Sequence, residues 1–299
     1  MERRTALITG GTGSLGSATA EALLAADERW DVVVTGRTAP EEAAARLGPR
    51  ATGIRLDLAS LAEVRRVARE LPPLDAVVCN AGQLVAHGTT WTEDGVETTF
   101  GVNHLAHFLL VREVLPTMPA PGRVVFVSSA THDPARRTGF PAPDHTTAAE
   151  LAHPDEGDGD GDPLRTGQRR YAAAKLCAVL AAYEFARRVP PEVATFTAFD
   201  PGQMPGTGLA RDLPAFRRVV WRRVMPALTL VPGINRHTPR RSGARLARLV
   251  LAPAPTGRYV SGGREARSSD ASYDLERAHD LWETSVALTQ ARTTAPDER

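Results

Sequence analysis

A tyrosine and a lysine four residues apart, Tyr171 and Lys175, stand in the run QRRYAAAKLCAVLAAYEFARR from Gln168 to Arg188. Its Ala and Leu content, with apolar residues at three- and four-residue steps (Leu176, Val179, Leu180, Tyr183), predicts a helix with one face in a core. On such a helix the phenol and the ammonium share a face. A positive charge beside a phenol favours the phenolate, so the pair is expected to lower the Tyr171 pKa from about 10 and ease proton exchange at neutral pH. Spacing of this kind also arises by chance, so the pair means little without the other parts of a reaction centre.

Those parts begin at the N-terminus. The β-prone residues 5 to 9 run into Gly10-Gly11-Thr12-Gly13-Ser14-Leu15-Gly16 and then into an Ala-rich helical pattern ending at Ala26. Strand, glycine turn and helix in that order place free N–H groups and the positive helix end where a pyrophosphate can sit. A second strand, Val32 to Thr35, ends at Gly36-Arg37, where an acid would bond a ribose 2′-hydroxyl and an arginine accommodates a 2′-phosphate. Arg37 therefore argues for NADP(H) over NAD(H). The third strand, Gly53 to Leu56, meets Asp57-Leu58, whose carboxylate is placed to accept from an adenine amino group.

A helix from Leu61 to Leu71 precedes LDAVVCNAG, an apolar run suited to a strand buried on both faces. Then come a helix from Thr92 to Leu115, a strand from Arg123 to Ser128, the Tyr171 helix, a strand from Thr195 to Phe199, a last edge strand from Gly257 to Val260, and a closing helix from Leu275 to Gln290. Alternation of this sort predicts an α/β fold, a doubly wound parallel sheet of about seven strands with helices on both faces. Ligands of such sheets bind beyond the carboxyl ends of the strands. Gly10 to Gly16, Arg37, Asp57, Asn80, Ala81, Gly82, Ser128, Ser129, Pro201 and Gly202 all fall there.

Composition narrows the function classes. Apolar residues make up 42% and charged residues 24% of 299 residues, as in ordinary globular proteins, and the net charge is +1. That balance supplies no basic excess to neutralise phosphates, so no nucleic-acid partner is expected. Cys79 and Cys177 fall on a strand end and a helix, and are expected to be core thiols in a reducing compartment. The apolar start stops at glycines, which suits a first strand and not a signal peptide; a cytoplasmic protein is expected.

In order along nearly the whole chain, TGGTGSLG, CNAG, VNHLAHFLL, VVFVSS, YAAAK and DPG resemble the short-chain dehydrogenase/reductase family. VNHLAHFLL, the long segment before the tyrosine and PGQMPGTGL are similar to its branch of retinol dehydrogenases and protochlorophyllide reductases. The resemblance implies a single-domain Rossmann fold over residues 1–299. It implies Tyr171 as general acid or base, Lys175 on the nicotinamide ribose, Ser129 on the substrate oxygen, and Asn103 holding a water in the proton relay. Asn80, Ala81 and Gly82 would line the cofactor, and Thr207 would meet its carboxamide. Relatives often pair through the helices carrying Asn103 and Tyr171, which implies a possible homodimer. The family loop TGxxxGxG would carry a glycine at position 14, whereas this chain has Ser14 with the glycine at Gly13.

From Ser129 to Tyr171 is 42 positions, and residues 131–167 read as an insertion whose acidic, glycine-rich middle HPDEGDGDGDPL lacks periodicity. Its Asp-Gly alternation lacks the closing Glu of a calcium loop, and no metal is expected. His104 and His107, three apart on a helix, are expected to pack structurally. Residues 203–240 read as a substrate lid with Phe216, Val220, Trp221, Val224 and Met225 inward and Arg217, Arg218, Arg222 and Arg223 outward. The same pattern would suit a helix lying on a membrane surface.

Together these readings predict an NADPH-dependent reductase of a bulky, apolar or aromatic ketone or aldehyde, or the reverse alcohol oxidation. Ala- and Arg-rich composition resembles that of high-GC bacteria, whose family members reduce ketones in secondary metabolism. Reduction of a C=C bond, as in the pigment reductases, is a rival within the resemblance. A non-catalytic cofactor-binding protein is a rival from another class, although a mere binder has no chemical need for the phenol.

Overall fold

A computed structural model describes residues 3–143, 146–155, 161–202, 204, 237–252 and 256–290. Eight strands form one sheet in the order β3-β2-β1-β4-β5-β6-β7-β8. They are β1 (Arg4–Ile8), β2 (Trp30–Gly36), β3 (Ala51–Arg55), β4 (Ala76–Cys79), β5 (Gly122–Val127), β6 (Ala194–Asp200), β7 (Arg258–Ser261) and β8 (Arg264–Glu265). All pairings are parallel except β7 with β8, where Val260 meets Glu265 and Ser261 meets Arg264. The expected sheet of about seven strands is present, and the reading of Gly257 to Val260 as the last edge strand is corrected by β8 beyond it. A hairpin turn at Gly262 and Gly263, both at positive φ, folds two polar residues back over the sheet edge.

Helices cover both faces. One face carries α1 (Ser14–Ala26), α2 (Pro40–Leu47) and α8 (Pro239–Leu251). The other carries α3 (Leu61–Glu70), α5 (Ala106–Val114), α7 (Pro163–Arg188) and α9 (Leu275–Gln290). Strand residues sort by their period of two: Ala6, Ile8, Val32 and Val34 face the first layer, while Leu7, Val33, Val77 and Phe126 face the second. In the second layer the Phe185 ring lies 5.1 Å from Phe196 and 4.9 Å from Trp282. Full burial of each such ring contributes roughly 1.5–3 kcal/mol.

Several boundaries move for local reasons. The helix predicted from Thr92 begins at α4 (Thr98–Phe100), because Thr90 to Glu97 form a turn with Gly95 at φ 73° and Trp91 bridged to Glu97. It continues through a π-helical stretch, Gly101–Leu105, into α5. Helix α7 starts at Pro163, five residues before Gln168, because Asp162 caps it by accepting from Leu164 and Arg165 N–H. The insertion is not loop throughout: Thr147 and Glu150 form a capping box on α6 (Ala148–Ala152). That short helix is anchored at both ends, Ala148 N–H donating to Asp280 of α9 at 2.7 Å and the Ala152 carbonyl accepting from Glu97 N–H at 2.8 Å.

Trp282 of α9 packs on Phe108 of α5 and Phe185 of α7, and Ser285 bonds His104. Both cysteines are free and buried, as read from sequence. Among the described residues no helix is long and apolar enough to cross a membrane.

Candidate active site

The strand order reverses direction at β1, which has β2 on one side and β4 on the other. Loops leaving β1 and β4 therefore part at their carboxyl ends and open a crevice there. Gly10 adopts φ +64°, and a Cβ on it would lie 2.9 Å from the Ala81 Cα, so only glycine lets the two loops approach. Asn80 fastens them, its Nδ2 donating to the Thr9 carbonyl at 2.7 Å. The Thr9 hydroxyl accepts the N–H groups of Asn80 and Ala81 at 2.9 and 3.0 Å.

Helix α1 begins in this crevice. Gly13 caps it without a side-chain acceptor, and its first turn holds no acid, so the N–H groups of Ser14, Leu15 and Gly16 are left for an outside acceptor. Ser14 is exposed, as are Thr12 and Gly13, so the serine does not fill the crevice. Gly16 is indispensable here: a Cβ would come within 2.5 Å of the Gly10 carbonyl oxygen. Arg37 is exposed directly after β2 and has no hydrogen-bond or ion-pair partner among the described residues. Asp57 and buried Leu58 follow β3, and Asp57 Oδ1 accepts from Ala59 N–H at 3.0 Å. An anion cradle, a free guanidinium and a nearby carboxylate suit the pyrophosphate, the 2′-phosphate and the adenine of a dinucleotide.

On the other side of the crevice, β5 and α7 are tied at one point by two bonds. Lys175 Nζ donates to the Val127 carbonyl at 2.9 Å, and the Ser128 hydroxyl donates to the Lys175 carbonyl at 2.7 Å. Ser128 is thereby consumed. The Ser129 hydroxyl accepts from Thr131 N–H at 3.3 Å, which leaves its own proton to donate.

Tyr171 is buried against Leu84 and Ala86, with the half-buried Phe140 ring 5.8 Å away. Gly167 makes that packing possible, since a Cβ there would fall 1.9 Å from the Val85 carbonyl oxygen. The sequence expectation for the phenol is corrected in sign. Burial, assisted by the Asp200 charge, raises the Tyr171 pKa above its ordinary value, and burial pulls Lys175 down to about 8. Desolvation wins because the ammonium, 5.5 Å from the ring centre, directs its hydrogen bond at Val127.

Asn103 sits in the π-helical stretch and grips residue 83, its Oδ1 accepting from Gln83 N–H at 2.8 Å and its Nδ2 donating to the Gln83 carbonyl at 2.9 Å. A Cβ on Gly82 would lie 3.2 Å from Asn103 Oδ1 and 3.4 Å from Lys175 Nζ, so Gly82 is the point where these residues converge. The Asn103 carbonyl accepts from His107 Nδ1 at 3.2 Å, while His107 Nε2 accepts from the Thr9 hydroxyl at 2.8 Å. His104 turns to Ser285, so the two histidines serve separate partners. At the end of β6, Asp200 accepts from Gly202 N–H and the Ser261 hydroxyl, and Pro201 accepts from Ser242.

Thr207, the lid-facing residues Phe216 to Met225 and residues 156–160 of the acidic insertion lie outside the described residues. Thr9 and Asp200 were not singled out as site residues from sequence, Ser128 was placed at the strand ends without a role of its own, and His107 was expected only to pack. Each lies within a quoted motif, but a hydroxyl or imidazole spent on a backbone group looks the same in sequence as one left free.

The pattern described as short chain dehydrogenase matches residues 4–138, and curated relatives span nearly the whole chain. Protochlorophyllide reductase B of Hordeum vulgare is 33% identical over 320 residues, covering 95% of this chain and 78% of that protein. This chain belongs to the short-chain dehydrogenase/reductase family. A protochlorophyllide reductase of Avena sativa is also 33% identical, over 94% of this chain and 98% of the relative. Among solved structures, an uncharacterised protein from Mycobacterium paratuberculosis superposes with a TM-score of 0.71 at 26% identity, over 97% and 94% of the two chains. As a family member near the protochlorophyllide reductase branch, the protein is an NAD(P)-dependent oxidoreductase.

Proposed function

We propose that this short-chain dehydrogenase/reductase is an NADPH-dependent reductase of a bulky, apolar or aromatic ketone or aldehyde, able to run in reverse as an alcohol oxidation. The observation that carries the reading is the division of labour at the end of β5: Ser128 is spent on Lys175, and Ser129 retains a hydroxyl proton beside the β5–α7 tie. Bound NADPH would supply hydride. Ser129 would donate to the carbonyl oxygen as negative charge grows on it, and Tyr171 would pass its phenolic proton to that oxygen. A phenol kept neutral by burial is the form a proton donor needs, which favours the reductive direction. Lys175 would hold the nicotinamide ribose and stabilise the phenolate left behind, and Asn103 would hold a water through which Tyr171 is reprotonated.

Arg37 supports NADPH over NADH, being a guanidinium at the end of β2 with no acid paired to it among the described residues. Leu84, Ala86, Phe140 and Leu164 around Tyr171 support an apolar or aromatic substrate. The relatives named for protochlorophyllide favour a second reading, in which hydride reaches a C=C bond and Tyr171 protonates carbon. A role in bacterial secondary metabolism and a cytoplasmic location belong to the first reading.

The test is titration with NADPH and NADH, followed by turnover of ketones, quinones and enones with cofactor deuterated at the transferred position. Deuterium on a carbinol carbon supports carbonyl reduction, whereas deuterium on a saturated carbon of an enone supports the second reading. Binding of neither cofactor overturns both.

A further inference from the structure

We propose that His132 is a positioning residue for Ser129, holding the turn that aims the Ser129 hydroxyl and coupling that turn to the C-terminal segment Ser269 to Tyr273. The inference rests on the substrate-bonding role given to Ser129 above.

His132 closes the turn Ala130–His132 that follows β5 and is 1% exposed. Its Nδ1 lies 2.6 Å from the Ser129 carbonyl oxygen, and its Nε2 lies 3.1 Å from the Ser269 amide nitrogen. A carbonyl can only accept, so Nδ1 carries the proton; an amide N–H can only donate, so Nε2 presents its lone pair. One form of the ring meets both partners, the neutral Nδ1–H tautomer. Burial favours that form by lowering the imidazole pKa, against the opposing pull of the Ser129 carbonyl, Asp133 and Asp200. The Tyr259 ring, 5.1 Å away, braces the imidazole, and Ser272 donates to the Ser269 carbonyl at 2.6 Å to brace the far side.

Ser129 has few other restraints. Among the described residues its carbonyl accepts only from His132, from backbone N–H at 3.1 Å and from the ring. Its hydroxyl takes one weak bond from Thr131, and its half-buried side chain lies at the crevice. Removing the imidazole leaves the Ser129 carbonyl with the His132 backbone bond alone, beside the Asp133-to-Ala130 bond of the same turn, and a hydroxyl misaimed by a fraction of an ångström stabilises an oxyanion poorly.

Three variants separate the two bonds. His132→Asn keeps a donor near the Nδ1 position, His132→Gln keeps an acceptor near the Nε2 position, and His132→Phe keeps neither. With phenanthrenequinone as the probe ketone, His132→Phe is expected to lower kcat about tenfold with the NADPH Kd unchanged, and His132→Asn to recover more of it than His132→Gln. In a Ser129→Ala background His132→Phe should lower kcat no further, while the thermal midpoint falls equally in both backgrounds. Equal loss of kcat in both backgrounds, or Gln recovering as much as Asn, overturns the proposal. Unchanged kcat in Ser129→Ala alone overturns the role of Ser129 and the proposal with it. Independently of turnover, nitrogen NMR of the full chain should show the His132 ring as the neutral Nδ1–H tautomer at neutral pH; an Nε2–H tautomer refutes the geometry.

Discussion

Lys175 Nζ donates to the Val127 carbonyl at 2.9 Å while standing 5.5 Å from the centre of the Tyr171 ring. One hydrogen bond does not replace the hydration of a buried ammonium, and the pKa of about 8 follows from that deficit. The same desolvation holds Tyr171 in its protonated form.

Substitution Tyr171→Phe removes the proton donor and little else, because the ring stays against Leu84 and Phe140. Turnover is expected to fall by roughly a hundredfold or more, with the NADPH Kd within about twofold of the parent. Steady-state kinetics beside a fluorescence titration measure both, and retained turnover would remove the acid role from Tyr171.

Lys175→Met should separate activity from stability. In the fold the lysine titrates near 8, against about 10.4 unfolded, so the folded chain binds its proton less readily. The resulting penalty is present below pH 8, shrinks as pH rises from there, and amounts to roughly 3 kcal/mol at neutral pH. The variant orphans the Val127 carbonyl, which costs about 1–3 kcal/mol. Turnover should therefore collapse while the thermal midpoint holds or rises. A midpoint lower by many degrees would show that the ammonium stabilises the fold.

Arg37→Asp replaces a free guanidinium with a carboxylate at the end of β2. A 2′-phosphate would then be repelled and a 2′-hydroxyl accepted. The ratio of kcat/KM for NADPH over NADH is expected to fall by about tenfold or more. An unchanged ratio would relocate phosphate recognition elsewhere.

Acid should destabilise the protein through its buried histidines. His104 and His107 are held neutral, with pKa values near 3 and 4, because burial disfavours the imidazolium. The unfolded chain takes up these protons below about pH 6.5, so stability falls as pH drops from 6.5 toward 4, by roughly 2 kcal/mol per histidine at pH 5. Urea unfolding across that range should show the slope, and His107→Asn should lessen it. A flat profile would mean the rings reach water.

Gly167→Ala places a methyl group 1.9 Å from the Val85 carbonyl oxygen, a backbone atom that cannot rotate away. The start of α7 must then lift off residues 84–86, the packing that surrounds Tyr171. A loss of roughly 3 kcal/mol or more is expected, with lower kcat, readable by thermal melting.

What the sequence determined by itself is whatever neighbours along the chain decide. Apolar runs, glycine turns and helical periodicity made the alternation of strands and helices legible, and the closing helix runs from Leu275 to Gln290 as read. Tyr171 and Lys175 share a helix face because spacing alone puts them there. Some boundaries that local signals set were still missed: Asp162 and Pro163 start α7 early, and the turn at Gly262 and Gly263 folds β8 back on β7.

Tertiary structure alone decided which polar groups are spent and which are left. Ser128 and Ser129 are adjacent and identical in type, yet one hydroxyl is satisfied by the Lys175 carbonyl and the other keeps its proton. His132 joins Ser129 to Ser269 across 137 positions of chain, a pairing that no local pattern encodes. The Tyr171 pKa moved opposite to the expectation from spacing for the same reason. Spacing reports one neighbouring charge, whereas desolvation sums over everything the fold packs around the group.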